Sequence, residues 1–384
     1  MTDRDRAGRP FQVIDSDAAL QEMVPVLRRQ KALGIDLEAD SMFHYTEKVC
    51  LLQIAAGKRS FLVDPLAVPD LSPLQPVFAD KGVKKILHGA DYDIRSLYRD
   101  FGISIANLFD TEVACRFLGF SETGLNAVVQ RVFGSTLEKK YQKSDWSKRP
   151  LPPEMLTYAA ADVIYLVDLY RYLRDLLKEK GRTDWVAEEC RILCAVRYPE
   201  ENGLPLFTRI KGAGRLDRRG LAVLENLLSL RQKIAHRKDR PSFKVMSNSS
   251  LLQIAEARPK NREKLIAAGA FSRKQVSMYA EPVCRAVEAA LAIPERRLPV
   301  YPREKRPMPS PRVAARVGAL KEWRLQTATA LEMDPGVLFP NTLLVAVAQA
   351  HPQNRSALEE IPGVKEWQKK EFGEALVAVM RSVR

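Results

Sequence analysis

Five side chains in this chain have the types and the spacing to carry out chemistry together. Asp36 and Glu38 lie two residues apart in an apolar run, and residues two apart on a strand point to the same face of a sheet. Tyr158 and Asp162 lie four residues apart in a helical stretch, so they share a helix face. Together with Asp93, these acids could converge on one pocket. Four carboxylates without a nearby Lys or Arg repel one another, and a pair of divalent metal ions would relieve that repulsion.

The chemistry that such a cluster favours is two-metal cleavage of a phosphodiester bond. Hard oxygen ligands prefer Mg²⁺ or Mn²⁺ to zinc, and two ions about 3.5–4 Å apart stabilise the attacking and leaving oxygens of a displacement. The phenol of Tyr158 is suited to hold and orient the attacking water rather than to take its proton, because a phenol titrates near pH 10. The histidines and cysteines are not spaced as a competing metal site.

Two further aspartates compete for places in this set. Asp40 continues the alternation of Asp36 and Glu38, and we expect the strand to end before it. Asp91 lies two residues before Asp93, and spacing alone does not decide between them. A helix that begins near Asp91 would make either residue an N-terminal cap, which is a purely structural role.

Strand and helix patterns predict the elements that position these residues. β-branched and large apolar residues predict strands at 11–15, 33–38, 49–55, 60–64, 85–88 and 107–110. Helical patterns are found at 18–31, 91–101, 111–118, 125–133 and 153–177. Three successive strands followed by strand–helix alternation predict an α/β fold, a mixed sheet flanked by helices.

Composition predicts a multidomain protein of the cytoplasm. The chain has 384 residues, which suits two or three domains, and 46% hydrophobic residues, enough for packed cores. Five cysteines without a Cys-x-x-Cys pair indicate reduced thiols. The charged N-terminus predicts no signal peptide, and no apolar stretch of about 18 residues predicts a membrane span.

The positive charge is concentrated in the second half of the chain. Residues 1–200 contain 28 Lys and Arg against 29 Asp and Glu, whereas residues 201–384 contain 33 against 18. A basic region joined to an acidic, metal-binding half predicts a polyanionic partner, namely a nucleic acid.

The second half also contains an internal repeat and loses the strand pattern. Ten identities recur at an offset of 93 residues, among them Arg231 with Arg324 and Asn248 with Asn341. Such a repeat predicts two similar helical modules. Between them, residues 293–312 contain six prolines and six basic residues, which predicts a stiff, extended linker.

The acidic segments resemble the DEDD 3′–5′ exonucleases of the tyrosine subgroup. The resemblance covers residues 11–177 and rests on IDLEADS, LHGADYDIRSLYRDFGI, NLFDTEVACRFLG and KSDWSKRPL followed by YAAADVIYL; this last stretch is similar to ribonuclease D and the Werner-type exonucleases. The resemblance implies a ribonuclease H-like fold, a water oriented by Tyr158, and two metal ions held by Asp36, Glu38, Asp93 and Asp162. It favours Asp93 over Asp91 because Asp93 lies five residues after His88.

The two repeats resemble the HRDC domain, chiefly through LKEWRLQTATALEMDPGVLFPNTLL and IPGVKEWQKKEFGEAL. The expected architecture is an exonuclease domain at 1–204, a first HRDC-like domain at 205–292, the linker at 293–312 and a second HRDC-like domain at 313–384. This is the arrangement of ribonuclease D.

Candidate substrate contacts lie in both halves of the chain. The loop before the Tyr158 helix is basic and contains a tryptophan that could stack on a base, although packing is the more usual role for such a residue. The first module opens with basic residues that could contact phosphates. The candidates are His88, Lys143, Trp146, Arg149, Lys211 and Arg215.

The function expected from this sequence is a Mg²⁺- or Mn²⁺-dependent 3′–5′ exoribonuclease that releases 5′-mononucleotides. Its partner would be RNA with a free 3′ end, with transfer RNA precursors implied by the resemblance, and no obligate protein partner is predicted. One alternative is a DNA exonuclease of repair, because the same metal chemistry cuts either polymer. Another is an inactive RNA-binding protein, which the complete set of five residues disfavours.

Overall fold

The computed structural model describes residues 3–4, 8–199, 203–302 and 310–383. The chain forms two compact units. One comprises Met1–Ala39, Val49–Tyr198 and Met308–Arg384, and the other comprises Asp40–Lys48 and Pro199–Pro307. The second helical module therefore belongs to the same unit as the sheet, whereas the first module forms the other unit with a short loop. The predicted boundaries at 204, 292 and 312 stay predictions.

A seven-stranded mixed sheet forms the centre of the larger unit. Its strands are β1 (Asp3–Arg4), β2 (Pro10–Ile14), β3 (Ala32–Ala39), β4 (Val49–Ala56), β5 (Arg59–Val63), β6 (Lys84–Leu87) and β7 (Leu108–Asp110). The order across the sheet is β1-β2-β5-β4-β3-β6-β7. The β3–β4 and β4–β5 pairs are antiparallel, and β2–β5, β3–β6 and β6–β7 are parallel. The predicted mixed sheet is confirmed.

Eight α-helices and one short 3₁₀ turn accompany the sheet in the described part of this half: α1 (Asp17–Arg28), α2 (Gln75–Phe78), α3 (Asp91–Phe101), α4 (Thr111–Phe117), α5 (Leu125–Phe133), α6 (Pro153–Val163), α7 (Leu166–Glu179), α8 (Thr183–Leu193) and the turn Ser72–Leu74. A further 3₁₀ turn, Leu206–Arg209, belongs to the other unit. The single helix expected at 153–177 is wrong, because it breaks at Ile164 and Tyr165. Arg9 donates a hydrogen bond of 3.0 Å to the Ile164 carbonyl at this break. Helix α8 was not predicted.

Gly34 explains why the helical break can approach the sheet. A Cβ atom at Gly34 would lie 2.9 Å from the Val163 carbonyl oxygen and 3.1 Å from the Cβ atom of Leu166. Only a residue without a side chain lets the backbone at the α6–α7 junction pack this closely on β3. The contact fixes α6, and hence Tyr158 and Asp162, against the strand that carries Asp36 and Glu38.

The helical half repeats its structure at the same offset as its sequence. The first module contains α9 (Arg218–Arg237), α10 (Ser242–Val245), α11 (Asn248–Ala257), α12 (Arg262–Ala267) and α13 (Arg273–Leu291); the second contains α14 (Pro311–Ala330), α15 (Pro335–Leu338), α16 (Asn341–Ala350) and α17 (Glu366–Ser382). In each copy the repeated arginine reaches the same backbone position. Arg231 donates to the Met246 carbonyl at 3.1 Å, and Arg324 donates to the Phe339 carbonyl at 2.5 Å. The predicted pair of helical modules is confirmed.

Part of the predicted linker, 303–309, lies outside the described residues. In the described part of the chain, no helix is both long and apolar enough to cross a lipid bilayer.

Candidate active site

A cleft of about 420 Å³ lies at one end of the central strands of the sheet. Four of the five predicted catalytic residues line it: Asp36, Glu38, Tyr158 and Asp162. They come from β3 and from α6, which are more than 100 residues apart in sequence. The close approach at Gly34 is what brings these two elements together.

The two acids on β3 show the alternation expected of a half-buried strand. Ile35 and Leu37 point into the core and are 1% and 7% exposed. The alternate residues Asp36 and Glu38 point to the other face and are partly accessible to solvent. Asp40 lies beyond the end of the strand, as predicted. Its carboxylate is buried and accepts a hydrogen bond of 2.8 Å from the Lys48 amide, so it serves the loop and not the cleft.

The structure separates the roles of Asp91 and Asp93. Both lie in the first turn of α3. Asp93 is 7% exposed, and its charge interacts with that of Asp36. The Asp91 side chain is largely exposed and accepts hydrogen bonds of 2.6 and 3.0 Å from Arg95. The acidic cluster therefore includes Asp93, while Asp91 is neutralised on the helix surface.

Tyr158 and Asp162 interact directly on the face of α6 that meets the sheet. The Tyr158 hydroxyl donates a hydrogen bond to the Asp162 carboxylate. Burial, together with the charges of Asp162 and Glu38, raises the pKa of the phenol well above its usual value. Tyr158 is therefore a neutral hydrogen-bonding group in this site and not a base.

Burial raises the pKa values of all four carboxyl groups, and the charge of Asp36 adds to the rise in the other three. Burial raises the pKa of Asp36 to about 6 and that of Asp162 to about 8. Burial and the charges of Asp36, Asp162 and Asp93 raise the pKa of Glu38 well above its ordinary value. Burial and Asp36 do the same to the pKa of Asp93. No described Lys or Arg offsets these shifts, so the site strongly favours an added positive charge.

This donor set fits a hard divalent cation. All four side chains offer carboxylate oxygens, which are the ligands that such ions prefer. In the part of the chain that the structure describes, no three His, Cys, Asp and Glu side chains form a ready-made cage for an ion. A complete cage is not needed, because Mg²⁺ commonly keeps several waters and combines one or two carboxylates with substrate phosphate oxygens.

His88 lies in the same cleft. One ring nitrogen, Nδ1, is 2.8 Å from the Thr111 hydroxyl oxygen. Burial lowers the pKa of His88 in spite of the nearby Asp110 and Glu112, so its ring is neutral at physiological pH. It remains a candidate substrate contact.

Two of the candidate RNA contacts have structural roles instead. Trp146 is 1% exposed and packs near Tyr158, with ring centroids 6.1 Å apart, so its faces are not available to a base. Arg149 pairs with Asp64 at 2.5 Å and donates to the Cys50 carbonyl at 2.7 Å. Both residues hold the loop before α6 on the sheet, and this loop supports Tyr158 from behind.

The remaining basic candidates are accessible. Lys143, Lys211 and Arg215 are all exposed. The cleft also contains polar residues that sequence analysis did not single out, namely Asn126, Gln142 and Glu138, together with Lys139. Asn126 lies on α5, whereas the positions of Glu138, Lys139 and Gln142 depend on how the 134–152 loop folds.

The fold and the acidic cleft are those of a 3′–5′ exonuclease, and comparison with known proteins agrees. The family model for the 3′–5′ exonuclease domain matches residues 11–178, and the model for the HRDC domain matches residues 220–287 and 313–380.

Relatives that match along almost the whole chain are more specific. Ribonuclease D of Gluconacetobacter diazotrophicus is 33% identical over 386 residues, covering 97% of this chain and 94% of the relative. The crystal structure of Escherichia coli RNase D, described as an exoribonuclease involved in structured RNA processing, superposes with a TM-score of 0.75 at 26% identity, covering 97% and 99%. The catalytic core of RRP6 from Trypanosoma brucei gives 0.65 at 30% identity, covering 76% and 84%.

The chain belongs to the ribonuclease D family. It is a 3′–5′ exoribonuclease that depends on divalent metal ions.

Proposed function

We propose that Asp36, Glu38, Asp93 and Asp162 hold two Mg²⁺ or Mn²⁺ ions and that this site removes 5′-mononucleotides from the 3′ end of RNA. When bound, the metal ions would supply positive charge to the phosphate and acidify the attacking water. The observation that carries the proposal is electrostatic. Asp36, Glu38 and Asp162 line one cleft, and the charge of Asp36 adds to burial in raising the pKa values of Glu38, Asp93 and Asp162, with no described Lys or Arg among the groups that offset these shifts.

The chain's own groups would position the reactants. The Tyr158 hydroxyl is oriented by its hydrogen bond to Asp162. In the reaction it would form a hydrogen bond with the attacking water, either in place of the bond to Asp162 or in addition to it. Because its pKa is far above neutrality, it would orient the water without removing a proton. The neutral ring of His88, which also lines the cleft, would contact the terminal nucleotide.

The first helical module would hold the body of the RNA. Lys211, Arg215, Arg237 and Arg240 are exposed and would contact phosphates. By contrast, Arg219 donates to the Ile293 carbonyl at 2.5 Å and has a structural role. The Escherichia coli relative, described as acting in structured RNA processing, suggests structured RNAs as natural substrates, and we propose transfer RNA precursors among them.

The test compares two neighbouring aspartates. Asp93→Asn should reduce the rate of nucleotide release from a 3′-tailed hairpin RNA by about 10³-fold or more, because it removes charge where the metals bind. Asp91→Asn should retain a rate within about threefold of the parent, because Asp91 pairs with Arg95 on the helix surface. Equal rates for the parent and Asp93→Asn would reject the proposed ligand set.

The same assay addresses the DNA alternative. Matched RNA and DNA hairpins that differ only in the 2′-hydroxyl would be offered to the parent protein with Mg²⁺ and then with Mn²⁺. Faster release from RNA supports the proposal, and faster release from DNA contradicts it.

A further inference from the structure

A large apolar pocket lies away from the acidic cleft. It measures about 650 Å³ and is lined by parts of β7 and the loop before it, α7 and α8. Its walls include Ile105, Leu108, Phe109 and Leu177. Lys84, on its rim, pairs with Ala32 at the start of β3. Since strands rise about 3.3 Å per residue, the pocket is on the order of 15–20 Å from Asp36 and Glu38.

Four basic side chains surround the pocket, and none of the lining residues that the structure describes is acidic. Lys81 and Lys84 lie on the strand side, Arg174 lies on α7 and Arg191 lies on α8. Arg174 is paired with the exposed Asp175 at 2.8 Å, and Arg191 is 3.7 Å from Glu188. An apolar pocket with positive charge on both sides fits a ligand with an apolar centre and negative charge on both flanks.

The rim is held in place before any ligand arrives. Asn107 has a left-handed backbone with φ of 55°. Its side chain donates to the Lys81 carbonyl at 2.7 Å and accepts from Lys84 at 2.5 Å. A prearranged rim lowers the entropic cost of binding.

Addition of a strand to the sheet edge is excluded as the binding mode. β7 is the last strand of the sheet, but α8 covers its edge. The Asp110 amide donates to the Cys190 sulfur at 3.2 Å, and the Leu108 amide donates to Cys194. With these amides occupied, the pocket would recognise side chains rather than an extended backbone.

The lining also discriminates between classes of ligand. A nucleobase fits less well, because Asn107 already uses its amide and carbonyl groups within the protein and the hydroxyls of Tyr170 and Thr183 are the other neutral polar groups among the described lining side chains, too few to replace the hydrogen bonds to water that a buried base edge loses. A fatty acid has its charge at one end, whereas the four cations lie on two sides. A peptide with bulky apolar side chains between Asp and Glu residues satisfies both the walls and the rim.

We propose that this pocket is a docking site for an acidic segment of a partner protein, with apolar side chains inserted between the strand-side lysines and the helix-side arginines. Docking there leaves the acidic cleft accessible, so it would recruit the nuclease without inhibiting it.

The test uses the full-length protein and an array of fluorescein-labelled 12-residue peptides in which pairs of Phe, Leu, Trp or Met vary in spacing within an Asp/Glu background. Fluorescence anisotropy is measured for three proteins: the parent, the Ala187→Trp variant and the double variant Arg174→Glu/Arg191→Glu. The tryptophan of Ala187→Trp fills the pocket. The control is Lys178→Glu, a charge reversal one turn along α7 from Arg174 and outside the pocket.

We expect at least one peptide to bind, with affinity reduced about tenfold or more in Ala187→Trp and in the double reversal but changed less than about twofold in Lys178→Glu. Release of nucleotides from RNA should be unchanged in all of these variants. Absence of any binding peptide, equal binding to the filled pocket, or displacement of the peptide by single-stranded RNA or by decanoate at equal concentration would overturn the proposal.

Discussion

The two helical modules share one fold and differ in what surrounds their cores. In the first module, Phe207, Leu224, Leu251 and Val283 belong to a core of its own. In the second module, Leu344 and the other core residues belong to one continuous cluster with the sheet domain. The repeat therefore specifies a helical fold, but residues outside the repeat determine whether a copy is independent or part of the catalytic unit.

The two modules also differ in net charge. Residues 205–292 contain 18 Lys and Arg against 7 Asp and Glu, whereas residues 313–384 contain 9 against 8. The basic excess of the second half therefore lies in the first module and the linker. We infer that the first copy binds RNA and the second supports the nuclease domain.

Aromatic packing joins the second module to the catalytic fold. The rings of Trp185 and Trp367 are stacked with centroids 4.8 Å apart, and Phe117 meets Trp367 edge-on at 5.4 Å. Glu188 accepts hydrogen bonds of 3.0 and 2.9 Å from the Glu366 and Trp367 amides. It thereby caps the N-terminus of α17, where amides lack partners within the helix.

The largest effect is expected from a substitution that disrupts the packing between the second module and the catalytic fold. Trp367→Ala should destabilise the catalytic unit by about 3–5 kcal/mol, because it removes a large buried ring from a packed core. Hydrogen exchange should show reduced protection throughout 8–39, 49–198 and 310–383.

The matched change in the first module is Phe207→Ala, which removes a ring that is 0% exposed. Its cost should be similar, but the loss of protection should be limited to 40–48 and 203–302. Loss across both units after either substitution would contradict the division between an independent copy and an integrated one.

A smaller effect is expected from surface charge. Reversal of Lys211, Arg215, Arg237 and Arg240 to Glu should weaken RNA binding about 100-fold at moderate salt. It should also reduce the slope of log affinity against log salt by up to about 3, since each phosphate contact contributes about 0.7 on a single strand.

Lys321, Arg355 and Lys370, three exposed basic residues of the second module, provide the control. Their reversal to Glu should change RNA affinity by less than about threefold. If it weakens binding as strongly as reversal in the first module, the second copy also binds RNA and the functional contrast is lost.

The smallest effect is a difference in pH dependence between the two units, measured without metal. In the catalytic unit, burial raises the pKa of Asp36 to about 6 and that of Asp162 to about 8. The folded state then holds more protons than the unfolded state between about pH 4 and 8, so its stability should fall as pH rises through this window. In the first module, Arg258 lowers the pKa of Asp217, so stability there should fall as the solution becomes acidic.

Asp162→Asn provides the check. In EDTA at pH 8.5 it should raise the Tm of the catalytic unit by a few degrees, because a buried charge is removed. The difference from the parent should shrink toward pH 4. A lower Tm at pH 8.5 would show that the charge is stabilised by something in the fold other than a metal ion.

Local patterns in the sequence predicted most of the sheet and the convergence of the acidic segments. Period-two alternation located Asp36 and Glu38, and the i, i+4 spacing located Tyr158 and Asp162. These patterns carry the information because one face of each element must be buried. The choice of Asp93 over Asp91 followed from the family resemblance, and the pairing of Asp91 with Arg95 supplies the physical reason.

Contacts distant in sequence were not predictable in this way. The break after Val163 contains neither Pro nor Gly and depends on Gly34 and Arg9. Arg149 has the charge of an RNA contact but meets Asp64, 85 residues away. The loop at 40–48 belongs to the first module, where His44 lies 2.7 Å from Asp239, and nothing in the loop itself indicates that partner.

We propose that carboxylates on β3, α3 and α6 share a pair of divalent ions. Crystals soaked in Mn²⁺ and measured at the manganese absorption edge test it directly. We expect two anomalous peaks about 4 Å apart among Asp36, Glu38, Asp93 and Asp162, and weaker or absent peaks in Asp93→Asn crystals. Peaks located elsewhere, or two undiminished peaks in Asp93→Asn, would contradict it.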